Sequence, residues 1–488
     1  MQLSVTTKGI AVFPISISGS FAQEIARPKP VNYRHLLVYQ PVGRDSWPVK
    51  TLNKDCHCLN RQPTIIPRDQ HPISRKQIST SALRVLYRLH EEGFAAFLVG
   101  GAVRDALAGI TPKDFDIATD ATPEQVRGLF RNCRLIGRRF RLAHVVFGRE
   151  IIEVATFRGQ TDDGTGDRQV HQDGRVIRDN VYGSIEEDAV RRDFTANALY
   201  YNIADFSVHD YVGGFQDVLD RRLRLIGDPE GRYREDPVRM LRAVRLAAKL
   251  HFEISPETAA PIPALAGLLN QAAPARLFDE CLKLFLSGHA VRSFEGLERM
   301  GLLPVMLPDT AKALKSNSNG SLRAMLLRGL AQTDDRVQRG DSVSPAFLFA
   351  LLLWPAWCRT KAQLEAGGMH SAEAQQRAAD KVTLQQVHLI AIPRRFSLPM
   401  QEIWLLQSRF SQRKKVGRLV THPRFRAAYD FFKLRADTTA QHAEDAAFWA
   451  AHAPAVDAVP GSGPVAHETV DEDRPRTRKR RRRSGTVG

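Results

Sequence analysis

A chain of 488 residues with 43% hydrophobic side chains is too long for one ordinary domain and apolar enough to fill more than one core, which excludes a small disulfide-stapled module and a wholly disordered chain. Its 70 lysines and arginines against 53 acidic residues leave a net charge of +17; the run RPRTRKRRRR (Arg474 to Arg483) supplies +8 of it and the rest of the chain +9. Such a balance suits a phosphate-bearing partner such as a nucleic acid, without specifying any chemistry.

Five scattered cysteines (Cys56, Cys58, Cys133, Cys281, Cys358) fit a reducing compartment, so a cytoplasmic protein is expected. Cys56, His57 and Cys58 have no second ligand pair at a usable spacing, which argues against zinc. Residues Ile10 to Ala22 resemble a short secretory segment only weakly, being interrupted by Pro14 and preceded by Lys8 alone. Residues 1–64 carry no sustained periodicity and are expected to be a disordered extension.

From Ser81 the pattern tightens. SALRVLYRLHEEGF predicts an amphipathic helix with Leu83, Leu86, Tyr87 and His90 near one face and Gly93 closing it. AAFLVGG predicts a strand, AVRDALAG a short helix, DFDIAT a strand, and TPEQVRGLF a helix capped by Thr122 with Pro123 at its first position. AHVVFG and EIIEVATF predict two more strands, and Gln160 to Arg175 a mobile polar loop. FTANALYY is expected to be helical, with Asp193 at its N-cap.

Beyond Pro237, VRMLRAVRLAAKLHF, ARLFDECLKLFLSG, RSFEGLERMGLL and AFLFALLLW all repeat at helical spacing. The apolar run Pro345 to Trp357 is too short to span a bilayer and contains Pro355, so a buried helix is expected and no membrane partner. After Ala451 the composition cannot bury enough apolar surface to fold, and a disordered, arginine-rich tail follows. The fold class is therefore α+β at the front and all-helical behind.

The chemistry-bearing stretch is FLVGGAVRDALAGITPKDFDIATDAT, Phe97 to Thr122. Strand residues two apart share a face about 7 Å apart, so Asp114 and Asp116 can converge on divalent cations; a bare D-x-D is otherwise an exposed strand face. Two ions about 3.5–4 Å apart suit in-line phosphoryl displacement. Gly100 and Gly101, at a strand end leading into a helix, let backbone N–H groups approach a polyphosphate without Cβ obstruction.

LVGGAVRDALAGITPKDFDIAT resembles the signature of the class II nucleotidyltransferases, which comprise CCA-adding tRNA nucleotidyltransferases and bacterial poly(A) polymerases. RRDFTANAL (Arg191 to Leu199), DYVGGFQD (Asp210 to Asp217) and REDPVRMLRAVRLAAKL (Arg234 to Leu250) extend the resemblance over roughly 65–262, and more weakly to about Arg435.

The resemblance implies a polymerase-beta-like head at 65–225, a helical neck at 226–290, a helical, RNA-binding body at 291–450 and a basic tail at 451–488. It implies that Asp114 and Asp116 bind the catalytic Mg2+ or Mn2+, and that Gly100, Gly101 and Arg104 hold the triphosphate of the substrate ATP. Arg192, Asp193 and Asn197 would lie near the nucleotide, with Asp193 the third essential carboxylate and Glu153 the runner-up. Glu235, Asp236 and Arg239 match an E-D-x-x-R element facing the incoming base; on one helix Asp236 and Arg239 would share a face and could instead pair with each other. Arg242 and Arg245 would extend a basic stripe suited to RNA. His209 and Asp210 look like a metal phosphohydrolase pair, but they end a strand before two glycines and lack further ligands.

LIGRRFRLAHVVF (Leu135 to Phe147), with Arg138, Arg139, Arg141 and His144, resembles the form found in bacterial poly(A) polymerases, as does the arginine-rich tail. The expected activity is template-independent addition of adenylate from ATP to RNA 3′ ends. A CCA-adding enzyme, or an idle RNA-binding protein keeping the head as a scaffold, are the alternatives. Recruitment by an RNA chaperone or degradation machinery, and the oligomeric state, are not legible.

Overall fold

The computed structural model describes residues 62–137, 141–159, 168–170, 176–179, 181–439 and 442–452. The expectations for residues 1–61, for Arg138 and Arg139, for most of the Gln160–Arg175 loop and for the tail from 453 lie outside the described residues.

Alternating apolar residues build a mixed sheet of eight strands. In chain order these are β1 (Thr64–Ile66), β2 (Ala96–Val99), β3 (Asp116–Thr119), β4 (Cys133–Ile136), β5 (Leu142–Phe147) and β6 (Glu150–Thr156). A separate ribbon, β7 (Arg168–Val170) and β8 (Val176–Asp179), precedes β9 (Leu199–Asn202) and β10 (Val208–Asp210). The spatial order is β1-β10-β9-β2-β3-β6-β5-β4, antiparallel throughout except for the parallel pair β3 and β6.

β2 is buried along its whole length because both faces are covered: Ala96 and Leu98 enter the main core, while Phe97 and Val99 join a smaller cluster with Phe157, Ala189, Tyr200 and Tyr211. The main face carries α1 (Thr80–Glu91), α2 (Gly101–Leu107) and α3 (Pro123–Leu129). Thr122 caps α3 in a capping box with Gln125, and Pro123 takes the first position, as the sequence predicts. Gly93 follows α1 at φ +84°, where a side chain would be strained.

The buried face of α1 is Ala82, Val85, Leu86 and Leu89; His90 is exposed, so the expected face is rotated by about one residue. Strand β3 begins at Asp116, leaving Asp114 in the preceding loop, yet the alternation continues outside it. Phe115 and Ile117 point into the main core, while Asp114 and Asp116 are exposed. FTANALYY is not a helix. One 3-10 turn (Thr195–Asn197) leads straight into β9, because Tyr200 and Tyr201 pack as alternating aromatics on opposite faces of a central strand.

After α4 (Ile185–Arg191) and α5 (Gly214–Leu219), α6 (Pro229–Glu235) and α7 (Val238–Leu250) lead into the helical part. Pro237 separates α6 from α7 and Asp236 is extended at φ −144°, ψ 95°, as expected for a residue preceding proline. Asp236 and Arg239 therefore do not share one continuous helix. The main apolar cluster runs without a break from Ile66 to Leu434, crossing from sheet to helices. The predicted buried helix is Pro345–Ala366; Leu348 to Leu353 are buried on every side, and Pro355 lies inside it.

The turn into α5 is built for close approach. Asp210 accepts from the backbone N–H groups of Val212, Gly213, Gly214 and Phe215 at 2.9–3.0 Å, which gives this carboxylate a capping role. A Cβ on Gly214 would lie 2.0 Å from the Thr195 carbonyl oxygen. Gly214→Ala should therefore destabilise the protein by ~1–3 kcal/mol in urea melts. Gly128→Ala, in the exposed interior of α3 with nothing near its Cβ, should stabilise it by ~0.5–1 kcal/mol.

Candidate active site

Backbone register assembles the site. Val99 pairs with Asp116 across the antiparallel β2–β3 ladder, so the turn at Gly100 emerges directly beside that carboxylate. Gly100 has φ +67° and ψ −128°, a region open essentially to glycine. A Cβ there would sit 4.0 Å from Asp116 Oδ2 and 3.5 Å from Arg192 Nη1, leaving a cradle between acid and base. Gly101 opens α2.

The parallel β3–β6 pair places Glu153 opposite Asp116, and the β5–β6 ladder places His144 opposite Glu153. Their neighbours Ile117, Ile152, Val154, Ala143 and Val145 all enter the main core, so Asp116, Glu153 and His144 form a row on the other face. His144 Nε2 lies 3.5 Å from Glu153 Oε2. Although Asp116 faces solvent, protein atoms crowd its carboxylate. Desolvation, then the charges of Glu153 and Asp114, push it up to about 6 against the lowering pull of Arg192.

Arg192 is fixed by what surrounds it. Its Nε donates to the Tyr200 hydroxyl (2.9 Å) and to Asp188 Oδ2 (3.1 Å), Nη2 to Asp188 Oδ2 (2.9 Å), and its guanidinium lies 5.0 Å from the Tyr200 ring centroid. Burial opposes ionisation of Asp188, but Arg192 and the Tyr200 hydroxyl outweigh it and hold the carboxyl below the usual carboxylate range. Asp188 and Tyr200 carry no motif of their own. Only their spacing to Arg192 on α4 and β9 could have signalled them.

Asp193 stands apart from this row. Its Oδ2 accepts from Arg242 Nε at 2.8 Å and from Arg242 Nη2; its Oδ1 accepts from the Phe194 N–H (2.8 Å) and Asn197 Nδ2 (2.9 Å). The carboxylate placed beside Asp116 is Glu153, and Asp193 instead ties the head to α7. Asn197 Oδ1 in turn accepts from Arg104 Nη1, while Arg104 Nε donates to Asp105 at 2.9 Å. Arg104 is buried, and its Nη2 would lie 3.5 Å from a Cβ placed on Gly101, so the guanidinium sits against the glycine turn while held by Asp105 and Asn197.

The neck residues are paired too. Glu235 Oε2 accepts from Arg232 (2.9 Å) and Arg239 (2.7 Å), whereas Asp236 Oδ2 accepts from Arg276 (2.9 Å), so the side chains of Asp236 and Arg239 pair with other partners rather than with each other. Arg232 Nη2 also donates to the carbonyls of Arg191 and Arg192 at 2.8 and 2.5 Å, joining the neck to the segment that carries Arg192. The expected basic stripe is neutralised: Arg242 is held by Asp193, and Arg245 Nε donates to Glu280 at 3.0 Å. His209 contacts the Ser207 hydroxyl and the Phe97 ring, and shares no metal arrangement with Asp210.

Among the described residues, no group of three or more His, Cys, Asp or Glu side chains is arranged to hold a metal ion alone. Mg2+ needs no such cage, since it is commonly held by one or two carboxylates, waters and substrate phosphates. The hard oxygens of Asp114 and Asp116, crowded enough to lift one carboxyl, fit that ion.

Three family descriptions match: "Poly A polymerase head domain" over residues 96–224, "Probable RNA and SrmB- binding site of polymerase A" over 251–314, and "Polymerase A arginine-rich C-terminus" over 367–484. Poly(A) polymerase I of Salmonella typhi is 49% identical over 438 residues, covering 87% of this chain and 94% of the relative. The chain belongs to the poly(A) polymerase family. This family member is a nucleotidyltransferase, and it also resembles the CCA-adding enzyme of Bacillus subtilis, at 40% identity over 44% of this chain and 52% of that one. The solved Bacillus stearothermophilus CCA-adding enzyme in complex with CTP superposes with a TM-score of 0.52 at 25% identity, covering 76% of this chain and 81% of its own.

Burial opposes ionisation of Asp193, but Arg242 and Asn197 outweigh it and hold the carboxyl below the ordinary range. Its stabilising contribution is thus present above the unfolded pKa of ~3.9 and lost as pH falls through the lower folded value. Arg242→Ala leaves burial dominant and raises that pKa. The variant should lose ~2–4 kcal/mol near pH 7, at the lower end for unpairing a buried charge because Arg242 is partly exposed. In urea melts the gap to wild type should shrink as pH approaches ~4, and Asp193→Asn in the same background should recover part of the loss.

Proposed function

We propose that this chain transfers AMP from ATP to the 3′ hydroxyl of RNA without a template, as a cytoplasmic poly(A) polymerase with a head at 65–225, a neck at 226–290 and a body at 291–450. The observation that carries this reading is that Asp116 Oδ2 and Arg192 Nη1 both border the space a Cβ on Gly100 would fill, at 4.0 and 3.5 Å. That space brings a triphosphate to a cation-holding carboxylate and a guanidinium, and glycine keeps it open.

In this reading Asp114 and Asp116 hold Mg2+ or Mn2+ by their carboxylate oxygens. When bound, the ion lowers the cost of deprotonating the 3′ hydroxyl and offsets the charge that builds on the α-phosphate and the departing pyrophosphate. Arg192, locked by Asp188 and Tyr200, gives a fixed cation to the phosphates, so little reorganisation accompanies the reaction. Gly100 and Gly101 offer backbone approach at the start of α2. Arg104, Asn197 and Asp193 form the brace beneath this surface, and Glu153, steadied by His144, limits how far Asp116 can turn. Glu235, Asp236 and Arg239 meet the base from the neck, each oriented by an ion pair that also restrains its neighbour.

A CCA-adding activity is the second reading, favoured by the likeness to the B. stearothermophilus enzyme. Identity of 49% over nearly all of a poly(A) polymerase I, against 40% over about half of a CCA-adding enzyme, supports the first.

Each of the four NTPs supplied separately with an unstructured RNA and Mg2+ should give long products from ATP alone. Incorporation of CTP into tRNA lacking its 3′ end would transfer the assignment to the second reading. Asp114→Ala and Asp116→Ala should each lower kcat by at least ~10²–10³, with the melting temperature kept, because each removes an electrostatic element acting on the transition state. Chelation with EDTA should abolish product formation, and added Mg2+ should restore it.

A further inference from the structure

One ion pair between α7 and the sheet domain has no part in the reading above. Lys249, in the last turn of α7, donates from Nζ to Asp105 Oδ2 at 3.1 Å. Asp105 lies in α2, the short helix that Gly101 opens, and its other oxygen, Oδ1, accepts from Arg104 Nε (2.9 Å) and Nη2 (2.5 Å). Arg104 and Asp105 are only 3% and 6% exposed, so salt and water screen their charges little. Adjacent residues of a helix do not face each other. The pair forms because the Arg104 side chain curls back on its own neighbour, while Asn197 holds the other end of the guanidinium.

Lys249 and Arg242 stand seven residues apart on α7, which puts them on one face, about 10 Å apart along the axis. Both reach the sheet domain. Arg242 donates to Asp193, Asp193 accepts from Asn197 (2.9 Å), Asn197 accepts from Arg104, Arg104 donates to Asp105, and Asp105 accepts from Lys249. The chain of bonds thus leaves α7 at one residue and returns to it at the other. Its charges do not balance: the cations Arg104, Arg242 and Lys249 face only the carboxylates Asp105 and Asp193. Without Lys249 the two signs would be equal, and Arg104 would be spent on Asp105. With Lys249 present, Asp105 is shared between two cations and a net positive charge remains. Arg104 brings that charge to the glycine turn, its Nη2 3.5 Å from where a Cβ on Gly101 would lie.

We infer that Lys249 is a positioning residue for the triphosphate of the incoming nucleotide: by sharing Asp105 with Arg104, it keeps the Arg104 guanidinium seated against Gly101 and cationic towards phosphate. Lys249 itself touches no reacting atom. Its effect passes through one carboxylate and one guanidinium, both buried, where a charge acts over a longer range than in water. The triphosphate is held in this way before and during the reaction, so Lys249 contributes to binding of the nucleotide rather than to the chemical step. The inference rests on the reading that the glycine turn takes the triphosphate of ATP, and deepens it. A brace that merely tied α7 to the sheet domain would affect stability without distinguishing one part of the nucleotide from another.

The test uses the full-length protein with Lys249→Met, Lys249→Gln and Lys249→Arg. Methionine keeps the apolar stem of the lysine and glutamine keeps a donor, so the two neutral variants do not share one route to misfolding. Both should raise KM for ATP by roughly 5–10-fold with kcat held, the pattern of lost uniform binding. Inorganic tripolyphosphate and adenosine, each used as an inhibitor competing with ATP, separate the parts of the nucleotide. In the neutral variants the Ki of tripolyphosphate should rise by about the same factor as KM, and that of adenosine should stay within about twofold. Lys249→Arg, which restores the cation, should return both values to within about twofold of wild type. Neutral variants with wild-type KM for ATP and wild-type Ki for tripolyphosphate overturn the inference. So does an equal rise in the Ki of adenosine, or a Lys249→Arg variant that recovers neither value, since either marks a brace without a part in holding phosphate. A wild-type protein that incorporates no nucleotide, or that tripolyphosphate does not inhibit, defeats the nucleotide-site reading itself, so the two failures are distinct.

Discussion

The pairing of Ala96–Val99 with Asp116–Thr119 is the constraint on which the rest of the head depends. Its register is locked by burial: Phe115 and Ile117 enter the main core, each worth ~1.5–3 kcal/mol, and a slip by one residue would exchange them for carboxylates. With the register fixed, Gly100 must emerge beside Asp116. The parallel neighbour then brings Glu153 to the same row, and the residue that ends α4 brings the Arg192 guanidinium beside the same glycine. A site made of crowded carboxylates is poised for cations because folding of the apolar face has already offset the repulsion.

A second set of interactions ties this site to the helices. Asp193 is held by Arg242, and Arg232 reaches back to the Arg191 and Arg192 carbonyls while holding Glu235. The residues flanking the Gly100 turn, proposed to hold phosphate, and those proposed to face the base are therefore one bonded unit. Arg276 extends it to the helix Pro274–Phe285 through Asp236. The continuous apolar cluster beneath makes independent movement of head and neck costly.

Much of this was legible in the sequence, for identifiable reasons. The strand ending in Gly100, the capped helix at Pro123 and the all-apolar helix from Pro345 are local patterns, and the structure keeps them. What failed was whatever depended on partners distant in sequence. Arg242 and Arg245 read as a free basic stripe, yet their counter-charges are Asp193, 49 residues earlier, and Glu280, 35 residues later. The partner that positions Arg104 beside the glycine turn, Asn197, was hidden in the same way, 93 residues away. FTANALYY has helical propensity, but two tyrosines packed on opposite faces of the sheet override it. Tyr200 and Asp188, which fix Arg192, carry no motif, and only their spacing to Arg192 could have pointed to them.

The central claim is that the acid row and the glycine turn form one nucleotide site, and the most direct measurement is a crystal structure with a non-hydrolysable ATP analogue and Mn2+. The account predicts an anomalous Mn2+ peak against the carboxylates of Asp114 and Asp116, with the triphosphate over Gly100 and Gly101 and within reach of Arg192. A triphosphate bound elsewhere, or a Mn2+ peak at Asp193 with Asp116 empty, would contradict it.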